Sequence, residues 1–116
     1  MMAYYVYILY SGRTDTFYKG QTNNMQDRLK RHNSGSEKYT SKGVPWILLW
    51  YCEKTTRSES LKLESKLKNL TRKRLIAFMR KYSENIAGSD EMIQQNHFVR
   101  MLTDSVSIRS RPRVQS

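Results

Sequence analysis

Two tyrosines, Tyr7 and Tyr18, occupy positions from which phenol groups could take part in proton transfer. Each lies in a segment rich in aromatic residues, and polar turn residues separate the segments, which predicts an antiparallel hairpin with both phenols on one face. A tyrosine becomes a base only when its pKa falls from about 10, and each unit of lowering requires about 1.4 kcal/mol. We expect Lys19, Arg28 and Arg31 to supply part of that free energy. The alternative is that both tyrosines pack in or beside the core.

Arg28 and His32 stand four residues apart in a segment that predicts a helix, so they share one helix face. An arginine can bind a phosphate through two parallel hydrogen bonds, and a histidine can exchange protons near neutral pH. The pair therefore indicates a site for phosphate chemistry. The alternative is a solvated basic helix, because Lys30 and Arg31 lie beside them.

Glu64 is the third candidate, because it is an acid in a strongly basic segment. Residues 57–81 contain nine Lys and Arg but only two acids, Glu59 and Glu64. Glu59 fits the first turn of a helix, where a negative charge is favourable. Glu64 lies near an apolar stripe, where its carboxylate could bind a hard divalent cation. The alternative is an ion pair with Lys68, four residues further on.

Other kinds of site are excluded or disfavoured by the sequence. It contains no glycine-rich phosphate loop, no Cys/His pattern typical of zinc, and no cluster of carboxylates for a two-metal centre. Cys52, the single cysteine, is expected to pack within a strand, and it favours a reducing, cytoplasmic setting. No segment has the length and apolarity of a membrane span, and the N-terminus does not resemble a secretory signal.

The candidate residues must be positioned by an α+β domain with the element order β-β-α-β-α-α. Strands are predicted over 4–10, 17–22 and 46–52, with the strongly apolar third strand central. Helices are predicted over 25–33, from Ser58 and after Thr71. The second helix is expected to turn four leucines inward (Leu61, Leu63, Leu67 and Leu70). The third should bury Leu75, Ile76, Phe78, Met79 and Tyr82.

Charge points to a polyanionic partner and locates the surface that would bind it. The 116 residues carry a formal charge of +11. Residues 1–85 hold 17 basic and 7 acidic residues, whereas 86–116 hold four and three. We therefore assign the binding surface to a folded domain over 1–85. Residues 86–116 are predicted to form a marginal helix over 91–102 and a disordered tail over 105–116.

In this order the residues resemble the GIY-YIG endonuclease superfamily, and within it the small stand-alone, UPF0213-like branch. The first motif stands here as Val6-Tyr7-Ile8, and the second as Tyr18-Lys19-Gly20 eleven residues later. Arg28, His32 and Glu64 follow in order, and the segment HNSGSEKYT, residues 32–40, is similar to a loop of that branch. The match covers roughly residues 4–82.

The resemblance implies a three-stranded antiparallel sheet flanked by helices, and hydrolysis of DNA phosphodiesters with one divalent ion, Mg²⁺ or Mn²⁺. Glu64 would hold the ion, and Tyr7 or a water that it positions would be the general base. Tyr18 would orient the nucleophile or the phosphate, Arg28 would stabilise transition-state charge, and His32 would assist by hydrogen bonding or proton transfer. The basic residues expected to contact nucleic acid are Lys19, Arg31, Lys38 and Lys42. Such an activity would serve DNA repair or recombination, with a monomer acting alone or directed by a protein partner.

Several positions depart from the family pattern. Val6 replaces the glycine of the first motif, Lys19 replaces an apolar residue in the second, and Gln21 stands where some relatives carry a site lysine. Asn69 is a candidate for a late site asparagine that some relatives have. The leading hypothesis is a metal-dependent endonuclease that recognises DNA structure or a weak sequence preference, with RNA as an alternative substrate. A nucleic-acid-binding module without turnover is the alternative.

Overall fold

In the computed structural model, residues 3–87 are described, and the predictions for 91–102 and 105–116 lie outside them. The strands are β1 (Tyr4–Ser11), β2 (Thr16–Thr22) and β3 (Trp46–Lys54), and the helices are α1 (Met25–Asn33), α2 (Arg57–Lys68) and α3 (Arg72–Lys81). Short 3₁₀ turns follow at Ser41–Gly43 and Ser83–Asn85. The predicted α+β class and element order are therefore confirmed.

The sheet is antiparallel, with the order β2-β1-β3. The prediction that the third strand is central was wrong: β1 pairs on both sides, and Val6, Tyr7, Ile8 and Leu9 are fully buried. The connection from β2 to β3 contains α1 and a loop, which is long enough to cross to the far edge of β1. At this edge the apolar run of β3 is not buried on both faces, since Tyr51 is 39% exposed.

Each of the three α-helices within residues 3–87 begins at a residue whose side chain caps it. Asn24 accepts a hydrogen bond from the Asp27 N–H, and Thr71 accepts one from the Arg74 N–H, as predicted from the capping residues. The second helix begins one residue earlier than predicted, because Thr56 caps it by accepting from the Glu59 N–H. Gly35 follows the end of α1 with a φ of 81°, a conformation that glycine adopts without strain.

The described residues divide into two compact units, with the boundary between Asn69 and Leu70. In the first, a cluster of Tyr7, Leu9 and Trp46 forms part of the core. Leu67 of α2 is buried, but Leu61 is 40% exposed, so its predicted inward position was wrong.

In the second unit, α3 buries Leu75, Ile76 and Met79 as predicted. Tyr82 follows the last residue of α3 and is 37% exposed, so the prediction that it belongs to the buried face was wrong. Within residues 3–87, no helix combines the length and apolarity needed to cross a membrane.

Candidate active site

The hairpin brings Tyr7 and Tyr18 to the same face of the sheet. In the β1–β2 register, Tyr7 is opposite Gly20 and Leu9 is opposite Tyr18. Successive side chains alternate between faces, so Tyr7 and Tyr18 are diagonal neighbours, and their ring centroids lie 6.3 Å apart. The buried Tyr7 ring lies over the backbone of Gly20, where an added Cβ would lie only 2.5 Å from the Tyr7 Oη. Glycine at this position therefore makes room for the phenol.

A chain of hydrogen bonds leads from the Tyr7 hydroxyl to a loop. The Tyr7 Oη lies 3.0 Å from His32 Nε2, and His32 Nδ1 lies 3.1 Å from Thr40 Oγ1. All three residues are at least 98% buried. With the imidazole proton on Nδ1, His32 donates to Thr40 and accepts the Tyr7 hydroxyl proton at Nε2. This arrangement allows a proton to move from the phenol to the imidazole.

Burial controls the protonation of both partners. It raises the pKa of Tyr7 well above its ordinary value of 10, and Tyr18 and Glu64 raise it further. Arg28 acts in the opposite direction but does not overcome burial. Burial lowers the pKa of His32, assisted by Arg28 and Arg31, while Glu37 opposes that shift. Of the three basic residues expected to supply part of the lowering, Arg28 does lower the pKa of Tyr7, but burial has the larger effect and the pKa is raised overall.

Arg28 contributes a charge and an unused donor beside the phenol. It lies on α1, which also carries His32, and its guanidinium favours the ionised form of Tyr7. Its Nε is buried and has no hydrogen-bond partner among the described residues. A buried donor without an acceptor is costly in a folded protein. An anion such as a phosphate oxygen would satisfy it, through a charge-assisted hydrogen bond.

Tyr18 lies between these groups and the core. Its ring centroid is 4.8 Å from that of His32 and 6.2 Å from that of Trp46, and both contacts are edge-on. The ring thus supports the imidazole orientation while remaining partly exposed.

Glu64 lies on α2, and its Oε2 is 3.3 Å from Lys68 Nζ. The ion pair left open as an alternative is therefore present. The Glu64 side chain is 19% exposed, and its charge contributes to the raised pKa of Tyr7, so it is within electrostatic reach of the phenol. Among residues 3–87, no three His, Cys, Asp and Glu side chains are grouped to hold a metal ion.

A single carboxylate nevertheless fits one kind of cation site. Magnesium is often bound through one or two carboxylates together with substrate phosphates, and it retains several water molecules. The Lys68 ammonium beside Glu64 shows that a cation can reach this carboxylate. Glu64 is thus suited to a hydrated divalent ion whose remaining ligands come from water and a phosphate.

The four basic residues predicted to contact nucleic acid have different environments. Lys19 alternates with Tyr18 and so lies on the opposite face of the sheet, where burial and Lys68 lower its pKa. Arg31 forms an ion pair with Glu37 at 3.3 Å. Lys38 and Lys42 are exposed in the connection between α1 and β3. Lys19 is therefore separated from the phenol face, whereas the other three belong to α1 and the loop that follows it.

Comparison with known proteins identifies the family of the chain. A family model described as the GIY-YIG catalytic domain matches residues 3–82. The chain belongs to the GIY-YIG family.

Small bacterial proteins of this family are among its relatives. A UPF0213 protein of Streptococcus sanguinis is 32% identical over 82 residues, which is 70% of this chain and 93% of the relative. One from Bacillus licheniformis is 41% identical over 73 residues, covering 61% of this chain and 73% of the relative. The solution NMR structure of a UPF0213 protein from Bacillus halodurans is 30% identical, with a TM-score of 0.47, and the match covers 68% of this chain and 84% of that one.

The residues noted as departures from the GIY-YIG pattern, and the candidate Asn69, each have defined contacts. Val6 is fully buried in β1 and pairs with Gln21 and Cys52. Gln21 Oε1 lies 3.3 Å from the hydroxyl of buried Ser60, which also donates to the Arg57 carbonyl at 2.7 Å, and this contact links β2 to α2. Gln21 thus has a structural contact in the position where some GIY-YIG proteins have a lysine. Asn69 follows α2, and its side-chain amide donates to the Ser65 carbonyl at 3.0 Å, a contact local to the helix end.

Two contributors to the candidate site were not predicted from the sequence. Thr40 binds His32, and its carbonyl accepts a hydrogen bond from Trp46 Nε1 at 2.8 Å. Asn33 binds the start of β3, where its Nδ2 donates to the Trp46 carbonyl at 3.0 Å. Both residues hold the loop between α1 and β3 in its conformation, and the sequence pattern did not predict that conformation. The available signal was their presence in the segment 32–40.

Proposed function

We propose that this protein is a metal-dependent endonuclease that hydrolyses DNA phosphodiesters. The observation that carries the proposal is the Tyr7–His32 hydrogen bond, made beside the unsatisfied Nε of Arg28. This combination supplies a path for a proton and a donor for a phosphate. Family membership supports a nucleic acid as the substrate.

In the proposed mechanism, proton transfer passes through a neutral phenol. The raised pKa of Tyr7 disfavours a free phenolate, whereas the lowered pKa of His32 keeps Nε2 available as an acceptor. Tyr7 would take a proton from the attacking water as it gives its own proton to His32. The resulting hydroxide forms the new P–O bond, the bond to the leaving 3′-oxygen breaks, and solvent protonates that oxygen.

The remaining residues would stabilise charge and orientation. Arg28 would donate to a phosphate oxygen as negative charge develops in the transition state. Tyr18, which is partly exposed and packs against His32, would orient the phosphate or the water. Glu64 would hold Mg²⁺ or Mn²⁺, which when bound would neutralise charge on the scissile phosphate and on the leaving oxygen.

The decisive experiment measures cleavage of nicked, flapped, branched, duplex and single-stranded DNA, and of matching RNA, with and without Mn²⁺. Wild-type protein should cut at least one DNA form only when the ion is present. Glu64→Gln should reduce the rate at least about 100-fold, while DNA binding in EDTA is retained. Glu59→Gln is the matched control, because Glu59 is exposed on the same helix and should leave cleavage unchanged. Failure of the wild type to cut any substrate with Mg²⁺ or Mn²⁺ would refute the proposal.

A binding module without turnover is the second candidate, and the Glu64–Lys68 ion pair favours it, because that carboxylate already has a cationic partner. Such a module would bind DNA with steep salt dependence, insensitively to chelator and to Glu64→Gln. The pathway served, whether DNA repair or recombination, and a monomeric state directed by a protein partner remain parts of the proposal. Sedimentation of the free protein tests the oligomeric state.

A further inference from the structure

Tyr39 is the most exposed large hydrophobic residue among those described. It is 95% exposed, compared with 40% for Leu61 and 39% for Tyr51. By contrast, the next residue, Thr40, is 1% exposed. An aromatic ring this exposed contributes little to the packing of its own domain, so it is available to a ligand.

The loop that presents Tyr39 is anchored on both sides. Before it, Glu37 pairs with Arg31 at 3.3 Å, and the Glu37 carbonyl accepts a hydrogen bond from the Thr40 N–H at 3.2 Å. After it, the Thr40 side chain lies 3.1 Å from His32 Nδ1, and its carbonyl accepts from Trp46 Nε1 at 2.8 Å. The ring is therefore displayed on an ordered loop, which reduces the entropy lost on binding.

The same anchors place Tyr39 beside the candidate site. Its neighbour Thr40 contacts His32, and His32 contacts the Tyr7 hydroxyl. Tyr39 is therefore the residue next to the hydrogen-bond chain that leads from Thr40 through His32 to the phenol. Lys38 and Lys42, on either side, are both exposed. An aromatic ring flanked by cations, next to a phosphate site, is the arrangement by which proteins hold single-stranded nucleic acid.

We propose that Tyr39 stacks on an unpaired base next to the phosphate bound at the candidate site. A base inside a duplex is covered on both faces by its neighbours, so its face is free only in a single strand or where the duplex is opened. The substrate class is therefore nucleic acid with unpaired nucleotides at the site of cleavage. The two lysines favour a nucleic acid over a protein at this ring. The proposal rests on the proposed function for the identity of the site, but the stacking itself requires no cleavage.

The test measures binding by the full chain in EDTA, so that no hydrolysis contributes. The probes are a 20-nucleotide DNA single strand carrying 2-aminopurine and the duplex of the same sequence. Tyr39→Ala should weaken single-strand binding about 5- to 150-fold, the range expected for one stacked base. Duplex binding should change less than about twofold. Tyr39→Phe should bind as the wild type does and quench the 2-aminopurine fluorescence, whereas Tyr39→Ala should not quench it.

Lys38→Ala is the matched control, because it removes a charge from the adjacent position. It should weaken single-strand and duplex binding together and reduce the salt dependence of both. Unchanged thermal unfolding of Tyr39→Ala would establish that the loop remains folded. The proposal would be overturned if Tyr39→Ala lost equal affinity for both probes, or if Tyr39→Phe lost as much affinity as Tyr39→Ala. It would also be overturned if the ring bound a protein and no nucleic acid. Stacking without any cleavage would refute the proposed function alone, and cleavage that is indifferent to Tyr39→Ala would refute this proposal alone.

Discussion

Gly20→Ala should disable the site through the Tyr7 ring. The added Cβ would lie 2.5 Å from the Tyr7 Oη and 2.7 Å from its Cζ, whereas ordinary contacts begin at 3.4 Å. The phenol would have to move by about 0.9 Å, yet Tyr7 is fully buried and its hydroxyl is held 3.0 Å from His32 Nε2. Overpacking and a weakened buried hydrogen bond together should cost about 2–4 kcal/mol of unfolding free energy.

The expected effects are large enough to measure separately. A loss of that size should lower the midpoint of thermal unfolding by at least about 8 °C in a domain of this length. A catalytic group displaced by about 1 Å can lose roughly 100-fold in rate. Gly35→Ala is the matched control, because an added Cβ there meets nothing within 4 Å. Its positive φ makes alanine cost about 1–2 kcal/mol, with cleavage unchanged.

A double mutant tests whether the loss passes through Tyr7. In a Tyr7→Phe background, the closest of the contacts with the new Cβ is removed. Gly20→Ala should therefore cost at least about 0.5 kcal/mol less there than in the wild type. Equal costs in the two backgrounds, measured by chemical unfolding, would refute the reasoning. So would a Gly20→Ala protein with wild-type stability and cleavage.

Three further predictions concern the groups around the phenol. Thr40→Val should lower the unfolding free energy by about 1–3 kcal/mol and shift the pH profile of cleavage. Thr40→Ser keeps the hydroxyl, so its stability and pH profile should be those of the wild type. Unfolding and the ¹⁵N shifts of His32 check both variants. Because burial lowers the pKa of His32, wild-type stability should be full above pH 6.5 and should decline as the pH falls toward that lowered pKa. This slope should be absent in His32→Gln, and a slope that is unchanged would contradict the assignment. Lys68→Ala should lower the Mn²⁺ concentration required for half-maximal cleavage about twofold, since an i,i+4 ion pair contributes roughly 0.3–0.5 kcal/mol; an increase would contradict competition for Glu64.

Local sequence rules predicted the elements and part of the site. Alternation of side chains along the hairpin places Tyr7 and Tyr18 on one face, and capping residues locate the helix starts, because both depend on near neighbours. The strand order was not predictable in this way. Both β1 and β3 are apolar, and only the long connection through α1 places β3 at an edge.

The electrostatics of the site could not be predicted from residue types alone. Counting basic neighbours predicts a lowered pKa for Tyr7, but the depth of burial reverses the sign. Tyr7 is buried because it belongs to the cluster with Leu9 and Trp46, against which Met25 and Leu29 of α1 pack. The role of Thr40 was missed for the same reason, since its contact with His32 depends on how the loop after α1 closes.

The opposite pKa shifts of Tyr7 and His32 also bear on why a divalent ion would be required. Burial disfavours the charged form of each, so the resting site holds a neutral pair. A phosphate that paired with Arg28 would weaken the charge effect and the hydrogen bond by which that residue favours ionisation of Tyr7. The charge of Glu64 also disfavours ionisation, so a cation bound to that carboxylate would reduce its upward effect on the pKa of Tyr7. In the proposed mechanism Tyr7 passes on a proton without becoming a free phenolate, and a cation held by Glu64 would offset part of the electrostatic cost of bringing a phosphate beside the phenol.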